Sequence, residues 1–145
     1  MKPLLIVDIQ PAYFPYMNDI IDVSETMKFI KEYKDKVYAL FVGKGLTEDE
    51  EQDVQAMFES YEIDTMFINF IEKDYAWIRN EMEEDEDAIL KKFKSGDCDY
   101  TIDLLDVLPN DMFIIGGGRN ECLAEVEHTL DFMNKNYKRI EQHIY

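Results

Sequence analysis

Three positions in this chain combine the residue type and setting needed for covalent chemistry: Asp8, a lysine at 91 or 92, and Cys122. Asp8 closes the apolar run Leu4-Leu5-Ile6-Val7, and Cys122 follows the triplet Gly116-Gly117-Gly118 at the start of an apolar-periodic segment. A cysteine in a first helical turn feels the positive end of the helix dipole, which favours the thiolate. A carboxylate nearby can take the thiol proton, and a lysine can hold that carboxylate ionised while steadying charge on a substrate. Glycines let backbone N–H groups approach a reacting carbonyl, as an oxyanion hole requires. The chemistry these groups can perform together is acyl transfer to cysteine followed by hydrolysis. Glu121 adds an acid beside Cys122, which is expected to raise the thiol pKa.

The elements that would position these residues can be read from hydrophobic periodicity. Leu4 to Val7 is a short continuous apolar run, the pattern of a strand buried on both faces. Ile20, Val23, Met27 and Ile30 recur at helical spacing. Val37 to Val42 is a second strand, stopped by Gly43-Lys44-Gly45. Thr47 with Glu50 reads as a capping box, continued as a helix by Val54, Met57, Phe58 and Tyr61. Thr65 to Phe70 reads as a third strand. Between 74 and 94 the periodicity does not choose between helix and strand, and Glu83 to Asp87 is a like-charge run suited to a solvated end or loop. Ile102, Leu105 and Leu108 mark a helix ending at Pro109-Asn110. Met112 to Ile115 is a strand, Asn120 a helix cap, and Leu123, Val126, Leu130 and Met133 the apolar face of that helix. Tyr137 to Tyr145 reads as a final strand.

Strands alternating with helices in this way predict a single α/β domain over 1–145. Its core is a doubly wound, mostly parallel five-stranded sheet with helices on both faces, a Rossmann-like three-layer sandwich. Ligands of such a sheet bind at the carboxyl ends of the strands beside a topological switch point, where Asp8, Lys91 or Lys92, and Cys122 should meet.

Leu5-Ile6-Val7-Asp8-Ile9-Gln10 followed by Tyr13-Phe14 resembles the opening motif of the isochorismatase-like hydrolases. Ile115 to Leu123 is similar to that family's nucleophile segment, in which a glycine ending the fourth strand precedes the cysteine. Lys91-Lys92-Phe93-Lys94-Ser95 resembles the family's lysine followed four residues later by serine, a spacing that selects Lys91 over Lys92. The resemblance implies Asp8 as base, Lys91 as charge partner and Cys122 as nucleophile. It places a non-proline cis peptide between Gly117 and Gly118. Gln10, Tyr13, Phe14 and Arg119 are the candidate substrate-pocket residues, with Tyr16 and Trp77 as further aromatic candidates. The chain departs from the family at Asp97, Arg119 and Glu121 and is shorter than its usual members, with no sixth strand expected. Gly116 to Glu127 also resembles small phage-encoded members of the superfamily.

The composition narrows the alternatives. The 145 residues are 46% hydrophobic and 13% aromatic, enough for a packed core and unlike a disordered acidic tail. A net charge of −17 disfavours direct nucleic-acid binding, because an acidic surface repels phosphates. Two distant cysteines make no disulfide framework, and neither a signal peptide nor a membrane span is evident, so a cytoplasmic setting is expected. The expected partner is a small-molecule substrate carrying an amide or related C–N bond, with no cofactor and no metal; a homo-oligomer is also compatible. A second reading keeps the fold without turnover and uses the acidic face against a basic protein. A third, a PIN- or NYN-like metal nuclease, needs more clustered strand-end carboxylates than the late glycine turn offers. His128, six residues beyond Cys122, points elsewhere on its helix and is assigned no role.

Overall fold

The computed structural model describes residues 1–44, 49–74 and 107–145. Within them the strands are β1 (Leu4–Val7), β2 (Val37–Lys44), β3 (Ile68–Asp74), β4 (Asp111–Gly116) and β5 (Asn136–Ile144). The helices are α1 (Phe14–Ile20), α2 (Val23–Lys31), α3 (Glu51–Ser60) and α4 (Cys122–Phe132). The strands form one sheet in the order β3-β2-β1-β4-β5, and every neighbouring pair is parallel. The chain winds outward from β1 through β2 to β3, then returns to the other side of β1 for β4 and β5. The switch point therefore lies between the carboxyl ends of β1 and β4.

The continuous apolar run of β1 is explained by its central place. All four of its side chains are buried. Leu4 and Ile6 face one core with Val23, Met27 and Ile30 of α2 and Val54, Met57 and Phe58 of α3. Leu5 and Val7 face the other, with Met112, Ile114 and the α4 residues Leu123, Val126 and Leu130. Each fully buried aliphatic side chain is worth about 1.5–3 kcal/mol relative to exposure, so the sheet is held from both sides.

Several element boundaries differ from the sequence reading, each for a local reason. Ile20 does not share a helix with Val23. Asp22 accepts a hydrogen bond from Glu25 N–H at 3.1 Å and starts α2 afresh, leaving Ile20 62% exposed at the end of α1. The capping box of α3 is Glu50 with Asp53, so the helix begins at Glu51; Thr47 lies outside the described residues. Asp64 caps a 3₁₀ turn over Thr65–Phe67 through Met66 N–H, which delays β3 to Ile68 and carries it on to Asp74. That shift of three residues brings Lys73 into the strand. The stretch from 75 to 106, with Trp77, Lys91, Lys92, Asp97, Cys98, Ile102 and Leu105, lies outside the described residues. No helix among the described residues is long and apolar enough to cross a membrane.

Candidate functional site

The end of β1 delivers Asp8 in a left-handed conformation, with φ of 53°, and with no exposed surface. Its N–H donates to Leu40 O at 3.0 Å, so the backbone turns out of β1 while still tied to β2. Such a conformation is tolerated by Asp and Asn far better than by β-branched or bulky residues. It aims the carboxylate across the carboxyl end of the sheet, where Lys73 Nζ lies 3.0 Å from Asp8 Oδ2 and both side chains are fully buried. Two opposite charges removed from water each require the other.

Lys73 reaches this position through strand register. Val37 pairs with Ile68 and Val42 with Lys73, so the last residues of β2 and β3 lie level beside the end of β1. The lysine anticipated at 91 lies outside the described residues, and the lysine found against Asp8 is Lys73. Sequence reading missed it because lysines default to solvated positions and because β3 was drawn three residues early. Counting the register forward from Ile68 is the signal that finds it.

Cys122 is the first residue of α4, capped by Glu121 with no side-chain hydrogen bond rather than by Asn120. The cysteine is buried at 5% exposure, and its thiol lies beside the Asp8 carboxylate. Burial is the main cause that pushes the thiol up to about 12, followed by the Asp8 charge, while Lys73 acts in the opposite direction. The helix N-terminus does not produce a standing thiolate here, because desolvation and an adjacent anion outweigh it. The further acid that raises the thiol is Glu125, buried one turn along α4, whereas Glu121 is exposed.

The glycine triplet joins these two halves. Gly116 has φ of +109°, and a Cβ there would stand 1.9 Å from Val7 O, so no other residue fits. A Cβ on Gly117 would come within 2.6 Å of the Tyr145 ring. The Gly117–Gly118 peptide bond is cis. The N–H of Gly117 donates to Val7 O at 2.9 Å and that of Arg119 to Tyr145 O at 2.7 Å. These two groups are therefore committed to the scaffold, which removes Gly117 N–H from the expected oxyanion donors.

Tyr13, Tyr16, Ile20, Gly118, Arg119, Cys122 and Tyr145 are among the residues lining a cavity of about 560 Å³ in front of the thiol. Of the anticipated pocket residues, Tyr13 and Arg119 are there, the latter with Nη1 held at 2.7 Å by Glu141 Oε2. Gln10 and Phe14 are not among the described lining residues. The buried Gln10 amide donates to Val42 O and Asp49 Oδ2, both at 3.0 Å, and accepts from Val42 N–H at 2.8 Å. It clamps the loop after β1 to the end of β2. Phe14 packs on the α1–α3 side of the core against Tyr61, with ring centroids 6.4 Å apart. Tyr145 was not singled out from the sequence, since an aromatic residue after a strand is a common core feature; its phenol donates to Asp8 O. Among the described residues, no group of three or more His, Cys, Asp and Glu is placed to hold a metal ion.

Comparison with known proteins adds one likeness of fold. No family model and no curated protein matches the sequence. Among solved structures, the MAR1 ribonuclease from Caenorhabditis elegans superposes with a TM-score of 0.56 at 11% identity, covering 98% of this chain. This chain spans 63% of the length of that protein. At such low identity the likeness concerns architecture alone: the chain has an α/β fold with an all-parallel five-stranded sheet, and Asp8, Lys73 and Cys122 converge at the carboxyl ends of its strands.

Proposed function

We propose that this protein is an isochorismatase-like cysteine hydrolase that cleaves a small amide or related C–N bond, with Asp8, Lys73 and Cys122 as its triad. The observation that carries this reading is the Cys122 thiol, on the wall of a cavity, beside a carboxylate that is paired with a fully buried ammonium behind it. A solvent-shielded Asp–Lys pair is costly to keep unless its geometry is used. A thiol raised to about 12 is inert alone at neutral pH, but it is correctly protonated for a base that removes the proton during attack.

In the proposed reaction Cys122 Sγ attacks the substrate carbonyl carbon as its proton passes to Asp8. The N–H groups of Glu121 and Leu123 donate to Gly118 O, each at 3.0 Å, so the oxyanion is taken by the main-chain N–H of Cys122 at the start of α4, together with that of Gly118. Collapse breaks the C–N bond, and the amine leaves with the proton from Asp8. Water then gives its proton to Asp8 and attacks the thioester, releasing the acid and returning the proton to the thiol. Lys73 lies 3.0 Å from the Asp8 carboxylate and pairs with its ionised form, and the cavity of about 560 Å³ has room for a small molecule.

Alkylation of Cys122 by iodoacetamide, followed by peptide mass spectrometry, tests this. Asp8→Asn is the comparison of choice because asparagine tolerates the left-handed backbone at that position. The wild type should label at neutral pH on the order of a hundredfold faster than Asp8→Asn, the scale of general-base assistance. Its rate should level off well below pH 12. An unassisted thiol instead gains about tenfold per pH unit until it ionises. That steady climb in the folded wild type, with no effect of Asp8→Asn, would rule out the hydrolase reading.

A further inference from the structure

Tyr145 meets the glycine turn, Arg119 and the main chain of Asp8. Its N–H donates to Gly116 O at 2.9 Å, its carbonyl accepts from Arg119 N–H at 2.7 Å, and its ring covers Gly117. It lines the cavity beside Cys122, yet it is only 7% exposed. Its hydroxyl is spent on one partner, the main-chain carbonyl of Asp8. That carbonyl belongs to a residue held at φ of 53°, outside the regions that most non-glycine residues occupy. A donor fixed on this carbonyl selects the peptide orientation that points the Asp8 side chain toward Lys73 and Cys122.

Given the hydrolase reading above, on which this inference rests, we propose that Tyr145 is a positioning residue: its hydroxyl sets the Asp8 main chain so that the carboxylate meets the thiol. The tyrosine does not exchange protons with substrate. Burial and the nearby Asp8 charge hold the phenol well above its ordinary range, so it remains a donor throughout the pH range of the reaction. The arrangement also explains why Gly117 carries no side chain, since a Cβ would displace the ring that reaches Asp8.

The test uses the full chain carrying Tyr145→Phe, which keeps the ring against Gly117 and removes only the hydroxyl. Near-UV circular dichroism and thermal unfolding report the fold, and the pH profile of Cys122 alkylation reports the position of Asp8. The expected result is a folded protein whose Asp8-dependent labelling falls by roughly fivefold to tenfold, the equivalent of one buried hydrogen bond. Combining Tyr145→Phe with Asp8→Asn should then add nothing to the loss from Asp8→Asn alone. Wild-type labelling in Tyr145→Phe, while Asp8→Asn remains slow, overturns the positioning role and leaves the hydrolase reading standing. Wild-type labelling in Asp8→Asn overturns both. If Tyr145→Phe does not fold, 3,5-difluorotyrosine at position 145 decides, because it preserves shape and strengthens the donated bond. A labelling rate shifted beyond experimental error supports the role, and an unshifted one overturns it.

Discussion

Two ion pairs in this protein have nearly the same geometry and opposite surroundings. Lys73 and Asp8 approach to 3.0 Å with neither side chain exposed, while Lys31 and Glu62 approach to 3.1 Å with side chains 45% and 85% exposed. Distance alone would rank them together. Water separates them: the surface pair joins the end of α2 to the turn after α3 and competes with solvent at every moment, whereas the buried pair has only its protein neighbours. Two desolvated charges gain little stability over an apolar pair of the same size, yet each becomes indispensable to the other. In the proposed hydrolase, the buried pair at the end of β1 would serve chemistry more than strength.

The largest way to break that contrast is to remove one partner. Lys73→Met should destabilise the protein by about 3–5 kcal/mol in urea unfolding, because Asp8 is left as an uncompensated buried charge. Adding Asp8→Asn in the same chain should restore most of that loss while Cys122 stays slow to alkylate. A double variant as unstable as Lys73→Met alone would show that packing, not the orphaned charge, carries the effect.

A second test sharpens the contrast through pH. Burial first, and then the Asp8 charge, push the Cys122 thiol up to about 12 in the folded protein, against 9.0 for an unperturbed thiol. Above pH 9 the unfolded chain therefore holds fewer protons than the folded one at this group. Alkali favours unfolding through that window, and the stabilising contribution is gone as pH passes about 12. The fall in unfolding free energy across this range should be shallower in Cys122→Ser. An unchanged slope would place the alkaline sensitivity on the tyrosines instead.

The smallest effect is expected at the surface. Lys31→Gln should change stability by less than about 1 kcal/mol and should leave alkylation of Cys122 untouched. A larger loss would erase the distinction drawn between the two pairs.

The parts of the site lying on β1 and after β4 were legible in the sequence because their signals are local and unusual. Leu4 to Val7 is apolar without interruption because both faces of β1 are buried, and three successive glycines before a helix mark a place where backbone must pass close to backbone. Lys73 was not legible in that way. Its meaning depends on a register set at the far end of β3, and that register depends in turn on the Asp64 cap that starts the strand late. Gln10 shows the same limit from the other side. Its nearness in sequence to Asp8 suggested a role with substrate, but its amide is taken up by the Val42 main chain and Asp49. Tyr145 carries no local sign at all, since its contact with Asp8 crosses 137 residues. Residues marked by a local pattern could be read; those marked by nothing except their place in the sheet order could not.

That last separation bears on how the protein is made. Parallel pairing already delays folding, because the entropy of closing long loops is lost before any contact compensates it. In this sheet the first strand stays incomplete until β4 arrives, and the tyrosine that follows β5 must then close over it. Protection of the Cys122 thiol against a fast alkylating pulse during refolding should consequently develop in the slowest phase. The cysteine is in effect a clock, and it stops only when the two most distant parts of the chain have met.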